Sequence, residues 1–296
     1  MKMAEYLGVP IGSLQISRFT DGETYVKFEE SVRGVDAFVV QPTCPPVDSN
    51  LVELLILMDA LRRASAGSIT AVVPYYGYAR QDKKDAPREA ITAKLVADLL
   101  STAGASRIVT VDLHAGAIQG FFNIPVDHLT VIPLMSAYFK DKTLENAVAV
   151  SVDEGRVKTV RQVSSRLNIP LAVGYKFRPE QDVSEVTHLA GDVEGKTPII
   201  IEDIISTGRS ICECVDTLVK NGCKPEIYVA ATHGVLTGPA FDCLNRPEIK
   251  EIIVTDTIPL PQSRTLPNLK VLSVAPLLAE AVKCVHEDLS ITSLFH

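Results

Sequence analysis

Short apolar runs of strand length recur along this chain, most of them followed by a segment with apolar residues at helical spacing, and that alternation constrains the fold more than any other feature. Residues 69–74 read as a buried strand, 92–103 as a helix and 107–112 as a strand; 147–151 and 155–167 repeat the strand and helix, and strands follow at 171–175 and 198–201. A helix at 210–221, strands at 226–232 and 251–254, and a closing helix at 276–288 complete the series. Only the opening differs, with three short strands at 14–18, 25–28 and 37–41 ahead of a helix at 51–61. Such an order predicts an α/β protein with doubly wound parallel sheets, in which ligands sit beyond the carboxyl ends of the strands.

At 296 residues and 46% apolar, the chain can bury two cores of ordinary size. The expected division falls near Pro133, giving an N-terminal α/β domain over 1–133 and a C-terminal one over 134–296. No apolar run approaches the roughly 18–20 residues of a membrane span. The first eight residues look amphipathic and lack the apolar core of a secretion signal, so a cytoplasmic protein with no membrane partner is expected. Six cysteines lie mostly in apolar segments without zinc-site spacing and read as core thiols. A net charge of −7 excludes a general nucleic-acid surface. Basic residues nevertheless cluster at 80–88 and 176–178, which suits small polyanionic ligands.

The strongest motif runs from Ile199 to Ser210: an apolar strand, the acids Glu202 and Asp203, then Ser206-Thr207-Gly208-Arg209-Ser210 opening a helix. Backbone N–H groups of such a turn can cradle a phosphate, and the acids can accept hydrogen bonds from sugar hydroxyls. A plain strand end with Ser206 as a helix cap would look similar. A second strand end, Val72-Val73-Pro74, leads into Tyr78-Ala79-Arg80-Gln81-Asp82-Lys83-Lys84-Asp85. Here Arg80 offers a planar fork to phosphate oxygens and Gln81 can pair with a purine edge.

The first motif resembles the ribose-phosphate loop of phosphoribosyltransferases and phosphoribosyl-diphosphate synthetases. The second, with Ile91-Thr92-Ala93-Lys94 behind it, closely resembles the ATP-binding region of ribose-phosphate diphosphokinases. That likeness runs through nearly the whole chain and implies two domains of phosphoribosyltransferase type, the first for ATP and the second for ribose 5-phosphate. Phe19-Thr20-Asp21-Gly22-Glu23 is similar to the family turn that holds ATP in a neighbouring subunit's site. It implies ATP contacts from Phe19, Asp21, Gly22 and Glu23 and a homo-oligomer, dimer-based with a hexamer as the larger form. By the same resemblance Arg80, Gln81, Asp82 and His114 serve ATP, and His114 and Asp153 serve Mg²⁺. Glu202, Asp203, Ser206, Thr207, Gly208, Arg209 and Ser210 would bind ribose 5-phosphate. Within Leu171–Pro179, similar to the family's mobile catalytic loop, Lys176 matches the catalytic lysine and Arg178 a catalytic and substrate-phosphate ligand. The tail 290–295 is similar to that of members controlled by phosphate and ADP.

Several positions depart from the family pattern. Members begin with another strand ahead of the segment matching Met3–Gly8; Arg156 replaces a usual glycine, Phe177 a common basic residue, Ser206 a common acid and Arg209 a common small residue. Two other readings follow, a non-catalytic regulatory paralogue of the synthetase and a phosphoribosyltransferase. The latter has no use for the segment Arg80–Asp82.

Overall fold

The structure is a computed structural model that describes residues 1–142, 144–180, 183–260 and 266–295, with side chains described outside 176–187 and 295. It divides into two compact units, Met1–Thr130 with Val274–His296, and Val131–Ser273. The two units meet in sequence at Thr130 and Val131, and the second ends at Ser273. The closing segment returns to the first unit.

In the first unit α1 (Lys2–Leu7) precedes the antiparallel pair β1 (Leu14–Arg18) and β2 (Thr24–Phe28). Then come β3 (Asp36–Val40), α2 (Val47–Arg63), β4 (Ser68–Val73), α3 (Thr92–Ala103), β5 (Arg107–Val111) and β6 (Val126–Leu129). Strands β3 to β6 form a parallel sheet in chain order. Leu54, Met58 and Leu61 of α2 meet Val96, Ala97 and Leu100 of α3 over Ile69, Ala71 and Val73 of β4 in one apolar cluster. Period 3.6 on the helices and unbroken apolar character in β4 are what a parallel sheet covered by helices requires.

The second unit holds α4 (Ile132–Asp141), β7 (Ala147–Ser151), α5 (Val157–Leu167), β8 (Leu171–Glu180), β9 (Val183–Ala190), β10 (Thr197–Ile205) and α6 (Arg209–Lys220). It continues with β11 (Ile227–Gly234), α7 (Gly238–Leu244), β12 (Ile249–Thr255) and β13 (Leu269–Leu272). Its seven strands lie in the order β13-β12-β11-β10-β7-β8-β9. All neighbours are parallel except β8 and β9. Helix α8 (Ala275–His286) belongs to the first unit, where Tyr6 Oη of α1 donates to Glu280 Oε1 at 3.0 Å.

Three expectations change. The strand expected at 171–175 continues as β8 and turns back as β9, so the segment expected as a catalytic loop has strand backbone. The strand expected at 198–201 extends to Ile205 because it stays paired with β11 through Ile205 and Gly234. Glu202 and Asp203 therefore sit inside β10 and, by strand alternation, point to opposite faces. Lastly, Cys212 of α6 and Cys243 of α7 are joined by a disulfide, Cα atoms 6.4 Å apart, while Cys44, Cys214, Cys223 and Cys284 are buried free thiols.

The middle of β10 anchors the second core, where Ile200 is wholly buried among Val150, Val215 and Val229. Replacing Ile200 with Ala leaves a void that the packed neighbours fill only in part. The expected loss is about 2–5 kcal/mol of unfolding free energy, read from urea denaturation of the full chain.

Candidate active site

In each unit the polar loops of interest leave the carboxyl ends of adjacent parallel strands. The loop after β4 is clamped from below. Gly77 N–H donates to Thr43 Oγ1 at 2.7 Å, and Thr43 Oγ1 donates to the Tyr75 carbonyl at 3.1 Å. A Cβ at Gly77 would lie 2.5 Å from the Thr43 carbonyl oxygen, so only glycine permits this approach. Tyr76, buried and with its phenol driven far above the ordinary range by desolvation, donates to the Ala93 carbonyl at 2.9 Å. Thr92 Oγ1 then donates to Gln81 Oε1 at 2.5 Å, and Ala93 N–H to the Gln81 carbonyl at 3.2 Å. Gln81 is held at the start of α3 while Arg80 beside it is exposed.

The neighbouring loop, after β5, carries His114 half-buried. Asp112 just before it has φ +37, a conformation held by the Asp112 N–H bond to the Leu129 carbonyl at 2.9 Å and by the next residue. Leu113 N–H donates to His128 Nε2 at 2.8 Å, which requires that nitrogen to be unprotonated. Burial lowers the His128 pKa, with Asp112 opposing. His128 was not among the expected site residues; its position at the end of β6, next to the loop that holds His114, is a feature of tertiary structure alone.

Phe19, Asp21, Gly22 and Glu23 form the exposed turn between β1 and β2. It closes through Phe19 N–H to the Glu23 carbonyl at 2.9 Å and Glu23 N–H to Asp21 Oδ1 at 3.1 Å. Phe19 packs edge-on against Tyr25, ring centres 5.8 Å apart, yet stays largely exposed. Asp82 is partly exposed in the loop after β4.

In the second unit β7 and β10 are paired, Ser151 opposite Ile201, so both loops emerge side by side. Asp153 caps a short 3₁₀ turn, its Oδ1 accepting from Gly155 N–H at 3.0 Å. Ser151 Oγ donates to the Asp153 carbonyl at 2.7 Å. After β10, the Ser206 carbonyl accepts from Thr237 N–H at 3.0 Å and Thr237 Oγ1 at 3.1 Å. Gly208, at φ +76, turns the chain into α6; a Cβ there would meet Leu244 at 3.1 Å. The amides of Arg209 and Ser210 thus open a twelve-residue helix, and Thr207 Oγ1 accepts from Arg209 N–H at 3.4 Å. This turn suits an anion, because N–H groups of a first helical turn lack carbonyl partners within the helix. Arg156 of the β7 loop ion-pairs with Asp203 of β10. Lys176 and Arg178 lie outside the residues with described side chains.

Among the described residues no group of three His, Cys, Asp or Glu side chains could hold a metal ion. His114 and Asp153 belong to different units and each stands at a strand end. Each singly is compatible with Mg²⁺, which takes one or two protein ligands and fills its shell with water and phosphate oxygens.

Residues 1–104 match the family model described as the N-terminal domain of ribose phosphate pyrophosphokinase, and 178–296 the phosphoribosyl synthetase-associated domain. A ribose-phosphate pyrophosphokinase of Caldanaerobacter subterraneus is 51% identical over 295 residues, 99% of this chain and 93% of the relative. That of Bacillus subtilis is 49% identical over 294 residues, 99% of this chain and 92% of the relative. The crystal structure of phosphoribosylpyrophosphate synthetase from Mycobacterium smegmatis superposes with a TM-score of 0.91 at 45% identity, covering 97% of this chain and 94% of that one.

The His128 bond generates a pH expectation. Its ordinary pKa is 6.5 and the folded value is lower, so the unfolded chain takes up the proton first as pH falls. The stabilising effect is complete above about pH 6.5 and declines below it toward the folded pKa. The difference in unfolding free energy between wild type and His128→Ala, from denaturant titrations between pH 8 and 5, should therefore shrink below pH 6.5. A gap that stays constant would remove the neutral-acceptor role.

Proposed function

We propose, from the premise that this chain belongs to the ribose-phosphate pyrophosphokinase family, that ATP and ribose 5-phosphate are its substrates and that its strand-end loops divide the work between them. The chain is a ribose-phosphate diphosphokinase, which transfers the β,γ-diphosphoryl group of ATP to the 1-hydroxyl of ribose 5-phosphate. The observation that carries the division of substrates is the β10–α6 turn, where Gly208 aims a helix N-terminus outward beside two acids.

The reaction joins the ribose 1-hydroxyl oxygen to the β-phosphorus and breaks that phosphorus from the oxygen linking it to the α-phosphate. Phosphoribosyl pyrophosphate and AMP result, and the hydroxyl proton is lost. No covalent enzyme intermediate is needed, so the residues act by positioning and by offsetting charge. Arg80 would bind the triphosphate oxygens and Gln81, fixed by Thr92, the purine edge, with Asp82 beside them. His114 in the first unit and Asp153 in the second would each serve Mg²⁺, which supplies charge neutralisation when bound. Asp21, Gly22, Glu23 and Phe19, exposed on their turn, would reach ATP in a neighbouring subunit, which supports a homo-oligomer.

On the acceptor side, Ser206, Thr207, Gly208, Arg209 and Ser210 would enclose the 5-phosphate through N–H and hydroxyl donors. Ser206 in place of an acid adds no negative charge there. Glu202 would accept hydrogen bonds from sugar hydroxyls, while Asp203 lies on the other face of β10, paired with Arg156. Lys176 would neutralise charge growing on the transferring group, and Arg178 would bind phosphate oxygens in a forked contact. Among the described residues no helix is long and apolar enough to cross a membrane, and ATP and a sugar phosphate would be met in the cytoplasm.

Incubating the purified chain with ATP, Mg²⁺ and ribose 5-phosphate should yield one AMP per ribose 5-phosphate consumed, followed by chromatography. ADP in that ratio would make it an ordinary kinase, and no turnover would favour the regulatory paralogue. Lys176→Ala should lose on the order of 10²–10³ in kcat and keep its ATP affinity by calorimetry, since its contact belongs to the transition state. Turnover at the wild-type rate would take Lys176 out of the mechanism.

A further inference from the structure

The loop after β7 and the end of β10 are joined by one charged contact that the reaction as described above does not use. Arg156, at the N-cap of α5, ion-pairs through Nη2 with Asp203 Oδ2. Both side chains are withdrawn from solvent, 14% and 9% exposed. Their strands are hydrogen-bonded neighbours, so the pair is a crosslink between the loop after β7 and the last turn-ward residues of β10. One of these loops carries Asp153 and the other begins at Ser206, three residues beyond Asp203.

A surface ion pair would contribute little. A buried one is different, because removing either member strands the other charge in a poorly solvated place and forces that segment to move. The segment that would shift here is the end of β10 on its β7 side, where pairing with β7 stops at Ile201 while pairing with β11 runs to Ile205, and from which the Ser206–Ser210 turn hangs. That turn is otherwise fixed on its far side, by Thr237 on the Ser206 carbonyl and by Leu244 against Gly208. Arg156 supplies the matching restraint on the near side. The flanking Gly155 is exposed and, among the described residues, is bonded to its own loop's Asp153, so the residue before Arg156 adds no hold of its own on β10.

We propose that Arg156 is a positioning residue for the sugar phosphate: through Asp203 it fixes the end of β10, and so the phosphate-binding turn, relative to the loop after β7. This rests on the reading of that turn as the ribose 5-phosphate site. It assigns a role to a position where the sequence departs from its family's glycine. The restraint concerns the acceptor substrate alone; the loop that holds Gln81 has its own anchors in Thr92 and Ala93.

The test is steady-state kinetics on full-length wild type, Arg156→Ala, Arg156→Lys, Asp203→Asn and the double variant, with ribose 5-phosphate and ATP varied separately. Arg156→Ala should raise the KM for ribose 5-phosphate on the order of ten- to a hundredfold, the range for a lost charged hydrogen bond. The KM for ATP should stay within about twofold by the same scale. Arg156→Lys, which keeps the charge without the fork, should recover part of the loss. Because Arg156 acts through Asp203, the double variant should be no worse than Asp203→Asn alone, a comparison that survives even if Arg156→Ala by itself fails to fold. An unchanged ribose 5-phosphate KM in folded Arg156→Ala, or a further multiplicative loss from Arg156→Ala in the Asp203→Asn background, would overturn the proposal. Wild type that neither turns over nor binds ribose 5-phosphate in calorimetry would instead overturn the site reading, and the proposal with it.

Discussion

A parallel strand buried on both faces leaves its polar neighbours nowhere to go but its ends. That constraint organises both units. β4 and β10 have apolar side chains packed over most of their length, and the first residues able to meet a charged ligand come where helix cover stops. Because adjacent parallel strands end at the same edge, the loops after β4 and β5 share a rim, as do those after β7 and β10. Each rim collects side chains that are far apart in sequence without any long-range device beyond backbone pairing.

What the rim does chemically is set by how firmly each loop is tied down. The loop after β4 is tied through Gly77 and Thr43, where the chains approach too closely for a Cβ, and through Tyr76 and Thr92 at the start of α3. The loop after β5 is tied by a neutral imidazole accepting from a backbone amide. The turn after β10 has backbone ties to Thr237 and a glycine in the left-handed region. Ligands as charged as ATP and a sugar phosphate lose much of their hydration on binding. Donors already locked in place recover that loss better than mobile side chains.

The pattern of apolar spacing made most of this visible beforehand. Helix α3 and strand β7 have the bounds read from the sequence, because Thr92 and Gly104 bracket one and four apolar residues closed by Ser151 are the other. Boundaries failed where tertiary pairing overrode local signals. β10 runs four residues past its apolar core since β11 continues to offer partners, and that extension moves Glu202 and Asp203 from a loop into a strand with alternating faces. β8 likewise continues through a stretch with Lys and Arg because β9 pairs with it, and β13 and α7, four and seven residues long, are too short to stand out. The disulfide was illegible for a similar reason: Cys212 and Cys243 sit on different helices, 31 residues apart, and only the packing of α6 on α7 brings them together.

The site residues show the same division. Motif likeness singled out Gln81, His114, Asp153 and the Ser206–Ser210 turn, all at carboxyl ends of strands. It gave no role to Thr43, Thr92 and His128, each of which holds another residue. Side chains that touch a ligand recur in fixed local patterns because the ligand's shape imposes them. Side chains that support from behind answer only to the local packing, and several residue types can do that work. Arg156 belongs to the second kind. A glycine at that position leaves the end of β10 to be fixed by other contacts, whereas an arginine with an aspartate in reach fixes it directly. The departures from the family pattern are therefore consistent with one chemistry: phosphate and hydroxyl recognition depends on donors and acceptors in fixed places, and more than one set of supporting residues can keep them there.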